Sequence, residues 1–161
     1  MKRDAWHELQ EPQAAAGSFI EEVVDGAAKV AVILRAGYVR DGITFLTPND
    51  YSQQLGYMKR PAGYRIEPHV HNPVHRDVMF TREVLFIKSG RVRVDFYDDG
   101  RRYLESRVLR AGDVILLAAG GHGFEMLEPA EMIEVKQGPY AGDADKTRFE
   151  AVASERIRVR G

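Results

Sequence analysis

The chain has 161 residues, 23 of them Lys or Arg against 24 Asp or Glu, and 44% of it is hydrophobic. Charges that nearly cancel leave no broad basic face for nucleic acid, and the lack of cysteine excludes disulfides, a thiol nucleophile and thiolate metal ligands. The longest apolar run, VILLAA at Val114–Ala119, is far too short to span a bilayer, and Met1–Gln13 holds no apolar core for a signal sequence, so the cytoplasm is the expected location.

No repeat, low-complexity tract or linker divides the chain. The expected organisation is an N-terminal segment over 1–28 that packs on the body or on a partner, one domain over 29–150, and a C-terminal tail over 151–161. Ser18–Val24 suits either a short helix or a strand. Strands are predicted in Lys29–Gly37, Gly42–Pro48 and Gln53–Pro61, where β-branched and aromatic runs end in Gly or Pro. In the third of these, Gln53, Leu55 and Tyr57 share a face. Glu83–Gly90 and Arg91–Gly100 read as consecutive strands hinged at Ser89-Gly90. The second alternates cleanly, with Val92, Val94 and Phe96 opposite Arg91, Arg93 and Asp95. Asp99-Gly100 suits a two-residue hairpin turn with positive φ at both positions. Three more strands are expected in GDVILLAA, HGFEMLE and EMIEVKQG. In the last, Ile133 and Val135 are expected to face inward with Gln137, and Lys136 outward. Nine or ten short strands at regular intervals predict an all-β barrel or sandwich.

Three of the five histidines, His69, His71 and His75, fall within GYRIEPHVHNPVHRD. On a strand, His69 and His71 would point the same way, since residues i and i+2 share a face. Glu83 heads a strand whose face also carries Leu85 and Ile87, an expensive position for a carboxylate without a cation nearby. His122 follows a glycine turn and starts a strand shared with Phe124 and Met126. Three imidazoles and a carboxylate suit a borderline divalent ion: iron, manganese, nickel or zinc.

These residues resemble the signature motifs of the cupins. Gly63, five residues, His69-x-His71, then Glu83, six residues and Gly90 is similar to the first motif; Gly112, five residues, Ala118, Gly120 and His122 is similar to the second. The resemblance implies a double-stranded β-helix, or jelly-roll barrel, with His69, His71, Glu83 and His122 as ligands of one divalent metal ion. The sequence departs from the pattern in the eleven residues between His71 and Glu83, in Ala118 where proline is usual, in the single residue between Gly120 and His122, and in Met126 where asparagine is common. The insertion carries His75, Arg76 and Arg82, which suit an anionic substrate or equally a solvated hairpin tip. His75 is also an alternative ligand to Glu83.

Gln137, Tyr57, His75 and Arg76 are the candidate catalytic residues. Three functions fit: a metal-dependent enzyme using the ion as a Lewis acid on a small polar, sugar-like or anionic substrate, in isomerisation or proton transfer; an iron(II) dioxygenase with an apolar shell from Phe124, Met126 and Leu85; or a non-catalytic small-molecule binder or sensor. No membrane partner is expected, and exposed sheet edges favour a homodimer. No nucleophile triad, phosphate loop or dinucleotide fingerprint is present.

Overall fold

The computed structural model describes residues 19–161. It is all-β: ten strands and two single 3₁₀ turns, Gly142–Asp145 and Ser154–Arg156, with no α-helix among the described residues. None of them forms a helix long and apolar enough to cross a membrane. The strands are β1 (Ile20–Asp25), β2 (Ala28–Leu34), β3 (Gly42–Phe45), β4 (Gly56–Lys59), β5 (Glu83–Ser89), β6 (Arg91–Tyr97), β7 (Tyr103–Arg110), β8 (Val114–Leu117), β9 (Gly121–Met126) and β10 (Glu131–Lys136). The 1–28 segment expected from sequence is described from residue 19 on; the rest of it lies outside the described residues. Its ambiguous stretch is a strand, because Val23 and its neighbours find a partner in β2, from Ile20↔Leu34 to Asp25↔Ala28.

The described residues fall into two compact units. One, Val39–Met79, is built on the antiparallel β3–β4 pair, running from Gly42↔Lys59 to Phe45↔Gly56. Its connecting loop is tied by Gln54, whose amide oxygen accepts from Thr47 Oγ1 at 2.8 Å and whose amide nitrogen donates to the Pro48 and Tyr51 carbonyls. Backbone donors and acceptors left over by the loop are thus met by a side chain.

The other unit joins Phe19–Tyr38 to Phe80–Gly161. It contains a five-stranded sheet of order β1-β2-β8-β5-β10 and a three-stranded sheet of order β7-β6-β9, in which neighbouring strands run antiparallel. The two sheets share one core: Val23, Ala31, Ile33, Leu85, Ile87 and Ile115 from the first, Val92, Val94, Phe96 and Leu109 from the second. The inward row of β6 is the one its alternation predicts. Burying these side chains offsets the entropy of ordering the strands.

Three local expectations are corrected. The β6–β7 turn puts positive φ on Arg101 (67°) and not on Gly100. Arg101 N–H donates to the Asp98 carbonyl at 2.9 Å, and Asp98 Oδ1 accepts from Arg102 N at 2.8 Å. The loop is therefore a turn followed by one left-handed residue, the longer hairpin form. In β10, Ile133 and Val135 are 50% and 56% exposed, while Lys136 sits half-buried on the face of Leu85 and Ile87. A register shift between Glu131 and Met132 sets Met132 opposite Ile87 and Lys136 opposite Glu83. One such shift reverses every inside–outside assignment beyond it. Finally, no strand forms between Arg60 and Arg82, so His69 and His71 are not on a ladder. Pro61, Pro68 and Pro73 have no N–H to offer one.

The C-terminal residues pair with the edge of the three-stranded sheet at β7. Val159 forms a parallel bridge with Ser106, with Ser106 N donating to Arg158 O and Arg160 N to Ser106 O, both at 2.9 Å. Beneath it runs a polar chain: Tyr103 OH donates to Ser106 Oγ, Ser106 Oγ to Asp95, and Arg93 grips Asp95 through two nitrogens. Every member is partnered, as a buried polar group requires.

Candidate functional site

Glu83 begins β5, opposite Leu117 of β8 on one side and Lys136 of β10 on the other. Its side chain is 12% exposed, at the end of the row that continues into buried Leu85 and Ile87. His122 comes from the other sheet. It lies opposite Phe96, and in an antiparallel pair directly opposed residues share a face, so its ring joins the core side of β9. The two sheets thereby bring together residues far apart in sequence: His122 Nε2 is 3.2 Å from Glu83 Oε2.

Glu83 ionises below the usual carboxylate range. The hydrogen bond from His122 is the main cause; it outweighs burial, and the charges of His122, Lys136 and Lys146 add to it. Lys136 Nζ is 4.0 Å from Glu83 Oε1, 3.5 Å from Glu134 and 3.8 Å from Asp145. Burial works against the ammonium, but these carboxylates more than compensate, and its pKa is raised. Asp145 also accepts from Thr81 Oγ1 at 3.0 Å, fastening its 3₁₀ turn beside the site. Gln137 turns its amide oxygen to the backbone N–H of Arg82, and Arg82 Nε donates to the Ala118 carbonyl at 3.3 Å. Both residues thus brace the start of β5.

The glycine turn before His122 needs its glycine. Gly120 has φ of +67°, and a Cβ there would run into the Tyr97 carbonyl oxygen. Two cavities open at this point, about 290 Å³ and 530 Å³, and Thr81, Glu83, Gly120 and His122 line both. The larger continues beneath Lys146–Phe149, where Phe149 stacks edge-on against Tyr97 at 5.0 Å between ring centroids. Val152 N donates to Tyr97 OH at 3.0 Å. These contacts make a strap along the cavity wall.

The remaining sequence candidates lie in the Val39–Met79 unit. His69 and His71 are exposed neighbours, rings edge-to-face with centroids 5.3 Å apart. His69 Nδ1 is 2.9 Å from the Glu67 carbonyl. A carbonyl only accepts, so Nδ1 donates, and in the neutral ring this leaves the lone pair on Nε2, the arrangement a metal-binding imidazole needs. His75 Nε2 is 3.0 Å from Asp77 Oδ1 with both side chains 87% exposed. Arg76 folds back on the Val74 carbonyl at 3.3 Å. Tyr57 lies on β4 opposite Thr44, half-buried.

The four expected ligands thus occur as two pairs, one in each unit. Among the described residues no group of three His, Asp or Glu side chains stands ready-made around one point. Lys136 was placed on the wrong face by sequence parity, and the strap residues Lys146, Arg148 and Phe149 carried no signal beyond a polar stretch. Comparison with family models, curated proteins and solved structures returns no significant match to this chain.

Proposed function

We propose that the chain is a metal-dependent cupin enzyme, acting by isomerisation or proton transfer on a small polar substrate held beside Glu83 and His122. His69, His71, Glu83 and His122 would hold a divalent ion. The observation that carries this is the convergence of Glu83 and His122 from opposite sheets at the cavity mouth, 3.2 Å apart. The donor set supports it: a carboxylate that stays ionised when partly buried, and an imidazole in His69 with its Nε2 lone pair exposed.

A bound ion would supply Lewis-acid polarisation of a substrate carbonyl or hydroxyl oxygen. The chain's own residues do the rest. Lys136, held by three carboxylates, keeps its proton and steadies Glu83. Thr81 and Asp145 present hydroxyl and carboxylate oxygens to a polyhydroxylated ligand. The polar walls favour this reading over an oxygenase, because Phe124 and Met126, the expected apolar shell, are 36% and 49% exposed on the edge strand β9.

Metal content and calorimetric titration of Mn(II), Fe(II), Ni(II) and Zn(II) into chelator-treated protein test the proposal. His69→Ala and His122→Ala should each abolish stoichiometric binding, and His75→Ala should leave it nearly intact. If only His75→Ala empties the site, the ligand set including Glu83 is wrong.

A further inference from the structure

We infer that the cavity beside Glu83 and His122 takes a small molecule bearing an oxyanion, a phosphate or a carboxylate, gripped by Arg101, Lys146 and Arg148. The inference rests on the proposed function for the identity of this cavity as the reaction site, and adds to it the class of substrate.

Three cations of the cavity wall lack a close ion pair among the described residues. Four carboxylates line the cavity, and three are already engaged. Glu83 meets His122 at 3.2 Å, Asp145 meets Lys136 at 3.8 Å and Thr81 at 3.0 Å, and Asp98 accepts from Arg102 N and Arg102 Nε at 2.8 and 2.7 Å. Only Asp99 is left, exposed at the tip of the β6–β7 turn. Against it stand Arg101, Lys146 and Arg148, which line the same cavity and form no ion pair within 4.0 Å among the described residues; Lys146 acts on Glu83 only at longer range. The wall therefore carries three cations with no ion pair within 4.0 Å among the described residues.

The placement of these three is also constrained. Arg101 occupies the left-handed region at φ 67°, uncommon for a side chain of its size. Its guanidinium lies 5.9 Å from the centre of the Phe149 ring, which is itself stacked on Tyr97. Lys146 has extended backbone, φ −149° and ψ 148°, and both it and Arg148 reach the cavity wall. Guanidinium groups match the two oxygens of a phosphate or carboxylate with parallel hydrogen bonds, and an ammonium adds a point charge. A volume of about 530 Å³ suits a ligand of sugar-phosphate or sugar-acid size.

The test is calorimetric or NMR titration of the full chain with glucose 6-phosphate, gluconate and neutral glucose, each in excess EDTA. The expected result is binding of one or both anions with none measurable for glucose. The anion that binds more tightly shows whether phosphate or carboxylate is preferred. Arg101→Ala, Lys146→Gln and Arg148→Ala should each weaken the preferred anion roughly tenfold, Arg148→Glu should weaken it further, and Lys88→Ala should change nothing. All substituted positions are exposed, and unchanged melting temperatures confirm folding. Equal binding of glucose, or anion affinity indifferent to these substitutions, overturns the inference. So does anion binding that appears only on adding Mn(II), because the ion and not the strap would then hold the ligand. Metal titration without any anion judges the cupin proposal separately: either result can fail while the other stands.

Discussion

Glu83 and Lys136 face each other across the β5–β10 ladder, with the lysine ammonium 4.0 Å from Glu83 Oε1 and the His122 imidazole 3.2 Å from Oε2. The carboxylate is thus held from both sides, and its pKa in the folded chain lies below its unfolded value, chiefly through the His122 hydrogen bond. A depressed acid contributes stability above its unfolded pKa and loses it as pH falls through the folded one. Metal-free protein should therefore melt at progressively lower temperature on acidification through the carboxylate range. Glu83→Gln should flatten that dependence, as read from melting temperature against pH in the presence of a chelator.

Gly120 and Gly26 both have positive φ, +67° and +59°, but differ in their surroundings. A Cβ on Gly26 meets nothing within 4 Å, whereas on Gly120 it collides with the Tyr97 carbonyl. Gly26→Ala should cost only the left-handed strain, about 1–2 kcal/mol. Gly120→Ala should cost more and, on the proposed function, should also weaken the metal site, because it displaces the turn that delivers His122. Urea denaturation of the two variants compares the first effect, and metal titration reads the second.

Asp113 is 4% exposed and accepts from Ala36 N, Arg110 N and Arg35 Nη1, at 2.9, 3.0 and 2.9 Å. Arg35 is further clasped by Glu21 through Nε and Nη2. Asp113→Ala strands three donors, one of them charged, and should destabilise the chain by roughly 3–5 kcal/mol. Asp113→Asn keeps an acceptor and should cost visibly less by the same denaturant measurement.

Phe96 and Phe86 test the two-sheet core. Phe96 is fully buried opposite His122, while Phe86 points to the other face of β5 and is 40% exposed. Phe96→Ala should lose about 3–5 kcal/mol, and Phe86→Ala only about 1 kcal/mol. Denaturant midpoints of the purified variants check both values.

Most strands were legible because half-buried ladders impose a period of two, and β6 with Val92, Val94 and Phe96 is the clearest case. β7 was not foreseen, since YLESRVLR buries a serine and leaves arginines and a glutamate on partly covered positions, where Ser106 and Arg107 engage in polar networks. Glu83 and His122 stood out because each interrupts an apolar row at the start of a strand. Lys136 could not be placed by counting, as the Glu131/Met132 register shift is a property of pairing and not of β10 alone. The strap escaped notice for another reason: a K-x-R pattern in a polar stretch is usually solvated, and only the packing of Phe149 on Tyr97 gives Lys146 and Arg148 a cavity to face.

The same strap carries two bonds that trypsin recognises, after Lys146 and after Arg148, on a segment anchored by one aromatic side chain and one hydrogen bond to Tyr97. Cleavage there requires the backbone to leave the cavity wall and extend into the protease, so the rate of nicking measures how often the wall opens. Phe149→Ala removes the anchor and leaves the Lys146–Thr147 bond unchanged, so nicking after Lys146 should be faster than in the parent chain.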